Sequence, residues 1–183
     1  MFHPKRSRFR IFLMSIAFAF TLLCLVGILF LNGIRYYPGG GRDYPSGIYQ
    51  LMAKDSDYAH GNLVLFCPPN NFVMRLGLLR GYTSAGICDG GFMPEIRKIM
   101  ALQGDYVTLD HEISINGHSL SQAAVKNEDA HHYALPHIHE FQLHESEYFM
   151  MLYDDSNDWF DSRYYGPVPS ENIIGLIHPI WTW

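Results

Sequence analysis

The sequence predicts a mostly β domain carried behind one N-terminal transmembrane helix. Three observations predict it. Residues 11–32 form an apolar run with no charge and no proline. Beyond them, seven short runs rich in Ile, Val, Leu, Tyr and Phe are bounded by turn signals. Between those runs, one segment, Asn71–Arg80, reads as a short helix.

In chain order, residues 1–10 are a basic N-terminus carrying Lys5, Arg6, Arg8 and Arg10. The run IFLMSIAFAFTLLCLVGILFLN follows, 22 residues from Ile11 to Asn32. At about 1.5 Å per residue a helix of this length spans about 33 Å, enough for a bilayer core. A cleaved leader has a shorter apolar region, about 7–15 residues, and a small-x-small cleavage site. The stretch after this run, Gly33-Ile-Arg-Tyr-Tyr-Pro, lacks such a site, so an uncleaved anchor over 11–32 is expected. Basic residues before the span and none within it keep the N-terminus in the cytoplasm and send Gly33 onward across the membrane. In a bacterium this describes a single-pass inner-membrane protein with a periplasmic domain. Residues 33–46 are expected to be a flexible neck, Tyr36-Tyr37-Pro38 and then three glycines, holding Asp43 to Ser46 close to the membrane surface. Residues 47–183 form the exported domain. Its expected strands are Ile48–Met52, Asn62–Phe66, Ile96–Leu102, Tyr106–Leu109, Glu112–Ile115, Tyr148–Leu152 and Ile173–Ile180, with TLDHEISING as a hairpin.

The 183 residues suit one ordinary domain plus the N-terminal addition. A net charge of -5, and no basic patch beyond the first ten residues, argue against a nucleic-acid partner. Cys24 falls in the span, whereas Cys67 and Cys88 lie 21 residues apart in the exported part. An oxidising compartment makes a Cys67–Cys88 bridge the expectation; two buried thiols are the alternative. Zinc is less favoured, since neither cysteine belongs to a CxxC. His131, His132, His137, His139 and His144 crowd one stretch, and imidazoles two apart on a strand can share a metal. Pro136 interrupts that stretch and no Cys or carboxylate sits at a diagnostic spacing, so a polar insertion loop is the plainer reading. No cofactor and no metal are expected.

Three stretches then line up in one order: YPSGIY; NLVLFCPP…RGYTSAGICDGG…RKIMALQGD between Asn62 and Asp105; and DSNDWFDSRYYGPVPSENIIG with the tail HPIWTW. Together they resemble the signal peptidase family, most closely its conjugative-transfer, TraF-type, pilin-processing branch. The resemblance implies a signal-peptidase-like domain of antiparallel sheets anchored beside the membrane. It implies a serine endopeptidase whose neutral lysine deprotonates a serine, which attacks a peptide carbonyl to form an acyl-enzyme. The lysine needs a pKa lowered by burial, because an ammonium accepts no proton. In the TraF-like branch an amine in place of water would close a pilin subunit into a ring. The implied partners are a pilin precursor at the inner membrane and the conjugative secretion apparatus.

The sequence departs from that pattern at three places. The nucleophile motif of the branch reads Ser-x-Pro-x-Gly-x-Tyr, and anchoring on Pro45, Gly47 and Tyr49 puts Asp43 where the serine belongs. The family lysine lies eight residues before the Asp of its Gly-Asp pair; counting back from Asp105 gives Arg97. A serine two residues before the Asp-Ser-Arg triplet orients the lysine in the family, and here that position is Trp159. Asp161, Ser162 and Arg163 keep the supporting triplet, with an Asp161–Arg163 ion pair as its plainest role. Arginine cannot serve as a general base, and an aspartate beside it stays ionised. An Asp43–Arg97 pair would therefore fill the dyad with a salt bridge.

The competing reading keeps Ser46 and Lys98 as a shifted dyad, with β-bulges re-aiming both side chains. Ser46 is otherwise a turn serine, and Lys98 a solvated or phospholipid-facing lysine pointing away from Arg97. Three functions follow from these readings. The chain processes or cyclises a pilin precursor; or it is a catalytically degenerate relative that binds the pilin or assists assembly; or, least supported, it is a histidine-cluster metal protein.

Overall fold

The computed structural model describes residues 4–38, 44–53, 57–110, 112–120, 124–152 and 160–183; for residues 4–7 it describes the backbone alone. The chain divides into two compact units, Met1–Arg35 and Tyr36–Trp183.

The first unit is one helix, α1 (Pro4–Leu31). Its stretch Arg8–Leu31 has a mean hydropathy of 2.6, and by length and composition it can cross a membrane. Large apolar side chains point out on all sides, from Phe9 to Leu31, as in a helix whose solvent is lipid rather than water on one face. Within Arg8–Leu31 both hydroxyls are satisfied inside the helix: Ser15 Oγ donates to Ile11 O at 3.0 Å and Thr21 Oγ1 to Ala17 O at 2.9 Å. Backbone polarity is likewise contained, which an apolar medium demands. At the C-terminus Asn32 Nδ2 donates to Ile28 O at 2.8 Å and the Gly33 N–H to Phe30 O at 3.1 Å, covering carbonyls that the helix leaves open.

The second unit is mostly antiparallel β. A seven-stranded sheet has the order β1-β2-β11-β3-β4-β9-β10 and a four-stranded sheet the order β7-β6-β5-β8. The large sheet comprises β1 (Ile34–Tyr37), β2 (Gly47–Leu51), β3 (Leu63–Phe66), β4 (Glu95–Ala101), β9 (Glu147–Met151), β10 (Val168–Pro169) and β11 (Ile173–Thr182). The small one comprises β5 (Tyr106–Leu109), β6 (Ile113–Ile115), β7 (His118–Ser119) and β8 (Glu140–Gln142). β11 ties the large sheet together: its first half pairs with β3 and its second with β2. At that second junction only glycine fits at 47, because a Cβ there would lie 2.3 Å from Trp181 O.

The strand alternation reads directly into the packing. On one face of β3, β4 and β9, Val64, Phe66, Ile99 and Met150 join Met74, Phe92, Phe160, Tyr164 and Tyr165. On the other face Ile96, Leu152 and Ile177 join Tyr44 and Tyr49. The small sheet closes a third cluster through Val107, Leu109, Ile113, Phe149 and Met151.

Every expected strand has an observed counterpart, with ends that differ by at most two residues. The expected helix is α2 (Phe72–Leu79), with Asn71 outside it as the cap, its side chain accepting from Met74 N at 2.9 Å. The structure adds β1, β7, β8 and β10 and the single turn α3 (Ser162–Tyr165). β1 lies inside the segment expected to be a flexible neck. Its Ile34-Arg35-Tyr36-Tyr37 is too short to announce a strand, and becomes one by adding to the sheet beside β2. Residues 39–43 of that neck lie outside the described residues.

Candidate functional site

β4 carries the position where the resemblance puts a lysine. Arg97 is 6% exposed there. It shares a strand face with Glu95, two residues before it, and the two side chains meet: Arg97 Nη2 lies 2.9 Å from Glu95 Oε2. Arg97 Nη1 donates to Ile96 O at 2.8 Å and Nη2 to Phe160 O at 3.3 Å. Thr83 Oγ1 donates to Glu95 Oε1 at 2.8 Å, whereas Glu95 Oε2 has ion-pair proximity without hydrogen-bond geometry. Burial pushes the Glu95 carboxyl above the usual carboxylate range, although Arg97 and Thr83 pull the other way. Burial likewise raises the Tyr165 hydroxyl well above its ordinary value, with Glu95 adding to it.

Asp43 and Trp159 lie outside the described residues. Their chain neighbours are placed. Tyr44 is buried in one cluster with Ile96, and the carbonyl of Phe160 receives Arg97. These two contacts lie on opposite faces of β4, Tyr44 with the Ile96 side and Phe160 with the Arg97 side.

Lys98 occupies the opposite face of β4, between Leu63 of β3 and Met151 of β9. Ser46 stands just before β2, its Oγ donating to Pro38 O at 3.0 Å and its carbonyl accepting from Trp183 N at 3.0 Å. Two strands, β11 and β3, separate β2 from β4. At about 4.8 Å per strand this puts about 14 Å of sheet between the two strands. The β4 bulge between Ile99 and Ala101 and the β11 bulge between Pro179 and Trp181 leave that order unchanged. The Ser46 hydroxyl is engaged just before β2, on Pro38 O.

The supporting triplet forms the N-terminal turn of α3. Asp161 and Arg163 are both 0% exposed. Arg163 Nε donates to Asp161 Oδ1 at 2.8 Å and Nη2 to Oδ2 at 2.9 Å, a bidentate pair. The same Oδ1 caps the turn by accepting from Arg163 N at 3.1 Å, and Arg163 Nη1 reaches Ala124 O at 3.0 Å. Ser162 Oγ accepts from Met150 N at 3.2 Å, tying the turn to β9.

The Gly-Asp turn of the resemblance is a second rigid anchor. Gly104 takes φ +87°, a region that only glycine enters freely. Asp105 Oδ2 accepts from Leu102 N at 2.8 Å and meets His60 Nε2 at 2.9 Å, while Oδ1 accepts from Asn116 at 2.7 Å. Burial pushes the Asp105 carboxyl up, but these donors outweigh it and hold it below its ordinary value.

Cys67 and Cys88 form a disulfide with their Cα atoms 5.5 Å apart. It closes the α2-bearing segment that joins β3 to β4, two interior strands of the large sheet. The histidine stretch contains β8 and exposed turns; His132 pairs with Glu128 and His139 with Asp110. Among the described residues no group of three His, Cys, Asp or Glu side chains is gathered as a metal ion requires.

Sequence reasoning passed over Glu95, Thr83 and Phe160. The signal for Glu95 was present: an acid two residues before Arg97 on a strand shares its face. Chemically, this arrangement holds a permanent cation beside a buried acid where a deprotonating amine would be needed. It can bind a carbonyl or carboxylate oxygen, and arginine supplies no proton acceptor.

The family described as "Signal peptidase, peptidase S26" matches residues 9–183. The chain is 32% identical over 139 residues to the conjugal transfer protein TraF of Agrobacterium fabrum, covering 76% of this chain and 78% of that protein. It is 31% identical over 164 residues to a plasmid transfer protein TraF of Escherichia coli, covering 88% and 90%. A crystal structure of a signal peptidase I from Enterococcus faecalis aligns with a TM-score of 0.39 at 21% identity, covering 66% of this chain and 97% of that one.

Proposed function

Because this chain belongs to the signal peptidase family, peptidase S26, we propose that it serves conjugal transfer as a membrane-anchored, pilin-handling protein whose peptidase dyad has been replaced. It receives a pilin precursor on the signal-peptidase scaffold and holds it for assembly, without forming a serine acyl-enzyme. The anchor is α1, the N-terminus is cytoplasmic by the charge rule, and residues 47–183 act on the periplasmic face of the inner membrane.

One observation carries the reading: the dyad lysine position holds Arg97, buried and ion-paired with Glu95. A guanidinium stays protonated at any working pH, so it cannot take the proton of a serine. The engagement of Ser46 Oγ with Pro38 O speaks against the displaced dyad. The kinship with TraF proteins named for conjugal and plasmid transfer supports the process and its apparatus as partner.

The test is a mass spectrum and a capture experiment together. Pilin is isolated from cells with the gene intact, deleted, or carrying Ser46→Ala, Asp43→Ala or Arg97→Ala. The expected outcome is one pilin mass in every strain, with in-cell cross-linking of the precursor to this chain and fewer pili after deletion. A loss of leader or of one water from the pilin that depends on any of these side chains makes the chain an enzyme and ends the assembly reading.

A further inference from the structure

We infer that a second site, apart from the dyad positions, receives an aromatic side chain of a peptide. A cavity of about 510 Å3 opens between the Arg80–Tyr82 turn after α2 and the segment 126–135. Pockets of this size, walled by rings and rimmed by a few polar groups, are the usual form of a small-ligand or side-chain site.

Its floor is aromatic. Phe160 and Tyr164 stack with centroids 5.4 Å apart and 6° between planes, and Tyr82 tilts against Phe160 at 5.0 Å. Such a floor offers ring faces and edges to a further ring. The rim is balanced in charge: Arg80 and Lys126 stand against Glu128 and Asp129. A balanced rim selects an uncharged peptide backbone over a phosphate or a chain-terminal carboxylate.

The walls are fixed before any ligand arrives. Asp129 accepts from the backbone of His131 at 2.8 Å and of Tyr133 at 2.9 Å, and from the Tyr82 hydroxyl. Arg80 Nη1 donates to Ala134 O at 2.8 Å, bracing the opposite wall. Preformed walls lower the ordering cost of binding. Phe160 belongs to both places, since its ring floors the cavity and its carbonyl accepts from Arg97. That the peptide is part of a pilin precursor rests on the function proposed above; the ring-binding chemistry does not.

The probe is N-acetyl-tryptophanamide, titrated onto the full-length chain in lipid nanodiscs and followed by saturation-transfer NMR, with empty nanodiscs subtracting lipid partition. N-acetyl-alaninamide and N-acetyl-tryptophan serve as size and charge comparisons. The expected result is saturable binding of the tryptophanamide, none of the alaninamide, and no gain from the free carboxylate. Ala130 is an exposed lining residue, so Ala130→Trp plugs the cavity from its mouth; it weakens the probe at least tenfold. Independently of any variant, the probe ring gives nuclear Overhauser contacts to ring protons of Phe160 and Tyr164. Equal binding by wild type and a folded Ala130→Trp chain, preference for the carboxylate, or contacts only to rings outside the cavity lining overturns the inference. No pilin enters this test, so its failure and that of the pilin reading are told apart.

Discussion

The molecule contains two acid–arginine pairs of the same spacing, and they behave as opposites. Asp161 and Arg163 sit in a capped turn with both carboxylate oxygens engaged and no exposure. Glu95 and Arg97 sit on a strand, also buried, yet Glu95 Oε2 lacks a hydrogen bond and the carboxyl is pushed towards its neutral form. The first pair is a finished scaffold part, in which desolvation is offset by geometry and extra hydrogen bonds. The second sits at the position where the resemblance puts a lysine, and one oxygen of its acid lacks a hydrogen bond. A buried ion pair stabilises a fold only when its remaining donors and acceptors are satisfied.

The contrast breaks most visibly at the finished pair. Asp161→Ala removes the bidentate carboxylate of Arg163 from the core, and is expected to cost about 3–5 kcal/mol. Urea unfolding of the full-length chain in detergent measures it; a loss below about 1 kcal/mol would put the pair on a par with surface bridges.

The disulfide comes next. Replacing Cys67 and Cys88 by alanine frees the α2 segment and is expected to cost about 2–4 kcal/mol. The same loss appears in wild type on adding reductant and is absent from the double variant.

Smaller effects separate the two acids by pH. Glu95 has a raised folded pKa, so the folded state holds the proton more tightly than the unfolded one. Its contribution is present below the ordinary carboxylate value and fades as pH rises through the folded one. Glu95→Gln is expected to remove that alkaline-going decline from a plot of Tm against pH. Asp105 is the mirror case, with a lowered folded pKa; its contribution holds above the ordinary value and is lost as pH falls. Asp105→Asn is expected to flatten the acid limb and leave the other untouched.

The smallest change is His60→Ala. His60 is 57% exposed in its contact with Asp105, and exposed pairs contribute at most about 1 kcal/mol. The loss is expected to shrink further in added salt, checked by repeating the unfolding curves at two ionic strengths.

Legibility followed locality. The apolar run 11–32 needed only composition to read as a span, and α1 ends within a residue of it. Tyr106–Leu109 and the hairpin after it were readable because alternation and turn residues are local signals. The Asp161–Arg163 pair was also readable, because two residues flanking one serine are close along the chain. β1 and β10 were not, since two to four residues become strands only by pairing with distant segments.

By itself, then, the sequence determined an apolar helix long enough to cross a membrane, the β class and the family, all of which depend on residue type and spacing along the chain. Only the tertiary structure decided that Glu95 is a buried partner of Arg97, that two strands stand between β2 and β4, and that Tyr82, Phe160 and Tyr164 meet around one cavity. The reason is physical. Burial, sheet order and side-chain contact are set by which remote segments share a core, and no local pattern encodes that choice.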